Sequence, residues 1–99
     1  MKYALSLRRA AAGDLAEAYD YYGAQQAGLG DRFHDEVARI LKRIETNPRL
    51  YAVSEKSPYR KAALSTFPFC IYYEVISQRI VVIAVHDTRR VPRIWKSRI

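Results

Sequence analysis

The sequence predicts an α+β fold of two layers, in which an antiparallel helical hairpin packs on one face of a sheet in the order β-α-α-β-β-β. Three observations predict it. Phe33, Val37, Ile40, Leu41 and Ile44 recur at helical spacing. The runs "FCIYYEVI" and "RIVVIAVHD" are apolar, β-branched and separated only by Ser77-Gln78. An alanine-rich segment precedes both, ahead of the break "AGLG". Helical periodicity followed by extended runs is the pattern of helices segregated to one side of an antiparallel sheet.

The elements follow in order. "KYALSL" alternates Tyr3, Leu5 and Leu7 on one face and reads as a first strand, expected to join the sheet beside one of the later three. Residues 10–27 form the first helix, with Leu15, Tyr19 and Tyr22 as its stripe and Gly13 as a penalty of about 1 kcal/mol. Asp31 is the expected cap of the second helix, and Asn47-Pro48 stops it. "RLYAVSEKSP" is the polar connection into "YRKAALST", the first strand of a three-stranded antiparallel segment. Simple alternation in the last strand places Val81, Ile83 and Val85 on one face and Ile80, Val82 and Ala84 on the other, so both faces are expected to be covered in part.

Length and composition bound the function. Ninety-nine residues suit one domain, 1–99, ending in a basic tail, 88–99. The formal charge of +7 calls for an anionic partner. That charge is uneven, since residues 1–58 carry nine Lys/Arg against eight Asp/Glu and residues 59–99 carry eight against two. Cys70 is the single cysteine, and the two histidines stand far apart. No Gly-rich phosphate loop, HExxH or acidic metal spacing occurs, so no metal and no cofactor are expected. The N-terminal apolar run is too short for a signal peptide and no stretch approaches the ~20 apolar residues of a membrane span, which reads as a cytoplasmic protein with no membrane partner.

The tail "AVHDTRRVPRIWKSRI" offers the candidate site residues. His86 is the one residue placed for acid/base work, with Arg89 and Arg90 as a phosphate clamp. Against this stands a structural role, His86 ending a strand and the arginines pairing with Asp87 or with acids of the second helix. His34 reads as a helix-face residue. Tyr72 and Tyr73 point to opposite sheet faces, so one belongs to the core and one to the face away from the helices. Tyr19 and Tyr22 read as packing residues and Tyr21 as partly exposed.

The segments "FPFCIYYEVISQRIVVIAVHDTRRVPRIW" and "AAGDLAEAYDYYGAQQAGLGDRFHDEVARILKRIETNPRLY" together resemble the RelE/ParE superfamily of type II toxins, most closely the ParE-like, plasmid-stabilisation members. The resemblance covers essentially the whole chain. It implies a RelE/ParE-like fold and a growth-inhibiting toxin neutralised by a cognate antitoxin, acidic and ParD-like, with DNA gyrase as the target by family analogy. The alternative within the superfamily is a ribosome-dependent mRNA endonuclease using His86, Arg89 and Arg90. The catalytic residues of RelE-type nucleases fall here on Cys70, Thr88 and Ile94, so that chemistry is absent and no catalytic residue is expected. The resemblance instead implies antitoxin or target binding through Arg60, Lys61, Arg89, Arg90 and Arg93 as charges, with Val91, Ile94 and Trp95 as anchors.

Overall fold

The computed structural model describes residues 3–53 and 58–90. Its elements are β1 (Ala4–Leu7), α1 (Arg9–Gln25), α2 (Leu29–Thr46), β2 (Arg60–Ala63), β3 (Phe69–Ile76) and β4 (Arg79–Asp87), which is the expected β-α-α-β-β-β order. The sheet runs β1-β4-β3-β2. The last three strands form the expected antiparallel segment, while β1 lies parallel to β4, Ala4 opposite Arg79 and Leu7 opposite Val82. The sheet is therefore mixed.

The turn between the helices is built on Gly28, whose φ of 84° lies in the left-handed region that glycine enters without steric cost. Gly28, not Asp31, occupies the cap position of α2. Asp31 sits inside the first helical turn and its carboxylate accepts a hydrogen bond from the Tyr19 hydroxyl at 2.9 Å. This bond ties α1 to α2 and leaves Tyr19 40% exposed, so Tyr19 is a surface brace, not the packing residue its spacing suggests. The helices approach closely at Gly30, where a β-carbon would stand 2.6 Å from the Tyr19 carbonyl oxygen.

The helix-facing core joins Phe33, Val37, Ile40 and Ile44 of α2 to Ile71 and Tyr73 of β3 and to Ile80, Val82 and Val85 of β4. Tyr22, Phe33, Phe67 and Phe69 form an aromatic group with centroids 4.8–6.1 Å apart. Each such pair adds about 0.5–1.5 kcal/mol beyond its buried area. Tyr73 is fully buried, and its hydroxyl donates to the Pro48 carbonyl at 2.7 Å, fastening the end of α2 to β3. Tyr72 lies in a second cluster with Cys70 and Ala84, so the two tyrosines do divide between opposite faces.

One register shift changes the expected facing of β4. Tyr72 pairs with Ala84 and Tyr73 with Val82, leaving Ile83 as the extra residue of a β-bulge. Beyond it the alternation inverts: Val85 joins Ile80 and Val82 in the helix-facing core, and Ala84 joins the opposite cluster. The sequence alternation that grouped Val85 with Val81 and Ile83 is thus corrected by a single inserted residue. The same inversion sets the facing of His86, the first candidate functional residue.

Candidate functional site

The site is built where β4 outlives β1. The parallel pairing stops at Leu7 and Val82, after which Arg8 donates to the Val82 carbonyl and the chain turns into α1. From residue 83 onward the edge of β4 that β1 has left faces α1. Asp14 of α1 fills the place of the missing strand, accepting a hydrogen bond from the Val85 N–H at 3.1 Å. A buried backbone donor left unpaired would cost about 1–3 kcal/mol, so Asp14 fixes the spacing of helix and strand at this point.

The result is a groove of about 290 Å³ between α1 and the end of β4, with Ala18, Phe69 and Val85 in its lining and Asp14, Glu17, Tyr21, Asp87, Arg89 and Arg90 among its polar residues. His86 also lines it but is only 6% exposed. Among the described residues its Nε2 has no hydrogen-bond partner, and its ring lies 6.3 Å from that of Tyr72. Burial lowers its pKa, opposed by a backbone hydrogen bond at Arg90 and by the charges of Asp87 and Asp14. Burial therefore favours the neutral imidazole.

Asp87 organises the turn that follows. One of its oxygens accepts from the Arg89 backbone N–H at 2.9 Å and from Arg89 Nε at 3.0 Å, while the other accepts from Nη2 at 2.9 Å. This is the two-point geometry that makes arginine–carboxylate pairs strong. Hydrogen bonding from Arg89 holds the Asp87 carboxyl below the usual carboxylate range, and the carboxylate raises the pKa of Arg89 in return. Arg90 has a looser exposed pair with Glu17 at 3.7 Å. The arginines thus pair with Asp87, as expected, and with an acid of α1 instead of α2.

The described members of the expected site lie in two places. His86, Arg89 and Arg90 come together at this groove. Arg60 and Lys61 lie on β2, two strands away, with Arg60 opposite Tyr73 and Lys61 opposite Tyr72. Arg60 donates to the Tyr51 carbonyl, and Lys61 is exposed. Val91, Arg93, Ile94 and Trp95 fall outside the described residues. Of the two remaining positions of the absent nuclease set, Cys70 is buried, which pushes its thiol pKa up, and the Thr88 hydroxyl donates to the Pro68 carbonyl at 3.0 Å.

Sequence reasoning missed two positions. Asp14 carried no signal in isolation, because its role depends on where β1 ends. Glu36 did carry one, an acid three residues after Phe33 and one before Val37, on the inward stripe of α2. It is 5% exposed and accepts hydrogen bonds from the Ser65 hydroxyl at 2.7 Å and from the backbone N–H groups of Ser65 and Thr66. Burial opposes its charge, but these bonds together outweigh it and hold the carboxyl below its usual pKa. Glu36 thereby sets the loop between β2 and β3.

A strand, a helical hairpin and a three-stranded antiparallel segment followed by paired arginines define a small protein with the α+β fold of the RelE/ParE type. The chain belongs to the family of ParE toxins of the type II toxin–antitoxin system parDE, whose family model matches residues 5–92. Among solved structures it is similar to the chromosomal ParDE toxin–antitoxin system from P. aeruginosa, with TM-score 0.74, 22% identity, and coverage of 86% of this chain and 95% of that one. It is also similar to a double-arginine mutant of the E. coli toxin RelE in the free state, with TM-score 0.60, 15% identity, and coverage of 97% and 93%. At these identities the likenesses bear on the fold. Curated proteins yield no sequence match. Among the described residues no helix is long and apolar enough to cross a membrane.

Proposed function

We propose that this ParE-family protein is a toxin that stops growth by binding DNA gyrase, and that a cognate acidic, ParD-like antitoxin neutralises it. Residues 1–99 act as one toxin domain, with the basic tail 88–99 and the β2 cations Arg60 and Lys61 contacting antitoxin or target. The observation that carries a binding mode over RNA cleavage is the state of the candidate catalytic groups. Arg89 has the Nε–Nη2 edge of its guanidinium committed to Asp87, and the His86 ring is almost wholly buried. Metal-free cleavage needs an accessible base for the 2′-hydroxyl and cations turned toward the phosphate. Reaching that state from this one requires breaking a two-point ion pair and exposing the imidazole.

The charge distribution supports an antitoxin that is anionic where it meets the tail. Residues 88–99 carry five Lys/Arg, Arg93, Lys96 and Arg98 among them, and no Asp/Glu, in a chain of formal charge +7. A segment that folds on binding loses ordering entropy, which charge pairing and buried anchors such as Ile94 and Trp95 would offset.

A supercoiling assay with purified gyrase tests the target. Inhibition, or accumulation of a cleaved DNA complex, is expected at excess toxin, and full activity would sink the gyrase assignment. Primer extension on translated mRNA tests the nuclease alternative. Cleavage abolished by His86→Ala would establish that alternative in place of ours.

A further inference from the structure

The outer side of the helical hairpin carries a second groove, of about 490 Å³, with chemistry opposite to that of the tail. Its floor is Ala12, Leu15, Ala16 and Tyr19, which recur at i, i+3, i+4 and i+7 along α1. Leu15 is half-buried and packs against the core, while Ala12, Ala16 and Tyr19 lie outside the inward stripe of Ala11, Ala18 and Tyr22 that α1 buries on the sheet side. Ala12, Ala16 and Tyr19 are exposed, so α1 is apolar on a face that α2 flanks with Asp31, His34 and Asp35 but does not bury. Ala12 and Ala16, one turn apart, leave room for the backbone of another helix to approach to the 8–10 Å typical of helix packing.

The rim selects the occupant. Asp20, Asp31 and Asp35 surround the floor with His34, and among the described residues no lysine or arginine lines the groove. In a chain of formal charge +7 this is a locally anionic surface. An acidic segment of the kind the tail attracts would be repelled here, while a cationic one gains at each carboxylate. We propose that this groove is a second protein-docking surface, and that it takes an amphipathic helix from a partner whose apolar stripe is flanked by lysine or arginine. The inference goes beyond the toxin reading and does not depend on gyrase or on the antitoxin contacting the tail. It makes the molecule two-sided, with the basic end drawing an acidic segment and the hairpin drawing a basic one, so both can be held at once.

The test uses the full-length protein and two designed peptides of about 18 residues with leucine at i, i+3, i+4 and i+7, long enough to be helical when bound. One has lysine at the remaining positions, the other glutamate. Net charge alone favours the glutamate peptide. At low salt the lysine peptide is expected to bind, shifting the amide resonances of Ala12, Ala16, Tyr19 and His34. Asp20→Asn combined with Asp35→Asn should weaken it about tenfold, the sum of two modest surface attractions. Ala16→Arg, a good helix former at an exposed position, should abolish it with the circular dichroism unchanged. Shifts confined to other residues, equal affinity in the variants, or the glutamate peptide taking the same site would overturn the proposal. Concentration-dependent self-association lost in Ala16→Arg would overturn it as well, in favour of a second copy of the chain as occupant.

Discussion

α1 and α2 are nearly equal in length, 17 and 18 residues, and lie in one layer, yet they are held by different means. α2 presents Phe33, Val37, Ile40 and Ile44 in a single inward stripe, presses Gly30 against the backbone of α1, and sends Glu36 into the loop before β3. α1 buries mainly Ala11, Ala18 and Tyr22 and is tied into the sheet by Asp14, which accepts from the Val85 N–H. The first helix is fitted by shape and the second is fixed by large side chains. Substitutions should therefore be costly on α2 and mild, or even favourable, on α1.

The largest break in this comparison is Gly30→Ala. The new methyl would meet the Tyr19 carbonyl oxygen at 2.6 Å, a backbone atom that cannot turn away, so the helices must separate. Alanine gains about 1 kcal/mol of helix propensity, but overpacking at a tight crossing typically costs 1–3 kcal/mol, and a rigid backbone contact belongs at the upper end. Urea unfolding should show a net loss of about 1–2 kcal/mol. An unchanged midpoint would mean that the helices separate freely, and with that the claim that α2 is the rigid member fails.

Glu36→Gln comes next. The amide retains one acceptor oxygen but loses the charge that the Ser65 hydroxyl and the loop N–H groups bind, a loss of about 1–2 kcal/mol near pH 7. The sign of the pH dependence follows from the lowered carboxyl pKa. Its contribution is complete above the ordinary carboxylate value and is lost as pH falls through the depressed one, so wild type and variant should converge in acid. A gap that persists at pH 2 would show that shape, not charge, holds the loop.

His86 gives a smaller effect in a different window. Burial keeps its folded pKa below the unfolded value of about 6.5, so the unfolded chain takes up the proton first. Stability from this group is present above about pH 6.5 and declines as pH falls toward the depressed value. Replacing it by Gln should flatten the stability profile just below about pH 6.5 and leave the Glu36 window in place. An unaltered profile would mean that the imidazole is solvated, which would restore its standing as a candidate base.

What could be read without the structure divides along the same line. α2 was legible because its stripe is large and one-sided, and β3 and β4 because their apolar runs are bounded by polar turns. The bulge at Ile83 was not, since an inserted residue leaves no mark in a strand that is apolar on both faces. The same blindness hid which way His86 points. Clustering of Arg89 and Arg90 with His86 was legible from their adjacency. Their pairing with Asp87 and with Glu17 on α1 was only half so, because the second contact depends on β1 ending early and letting α1 reach β4. Tyr19 was misread because its spacing fits a packing stripe while its hydroxyl is taken by Asp31. Glu36 was overlooked although an acid on an inward stripe is itself a sign of a buried partner.

The smallest expected effect is also the sharpest comparison, because it uses the same substitution as the largest. Gly13 and Gly23 lie within α1, and a β-carbon at either would meet nothing within 4 Å. Both positions are exposed, so alanine adds no clash and removes the conformational freedom that glycine loses on folding. Gly13→Ala and Gly23→Ala should each stabilise the protein by about 0.5–1 kcal/mol, raising Tm by several degrees in a domain of this size. Gly23 is the stricter case, since its own backbone lies 3.3–3.4 Å from where the Gly30 methyl would stand. If Gly23→Ala stabilises while Gly30→Ala destabilises, the close approach at the crossing is one-sided, with α2 as the tight partner. Loss of stability in both would instead place the constraint on the pair, and α1 would then be as rigidly specified as α2.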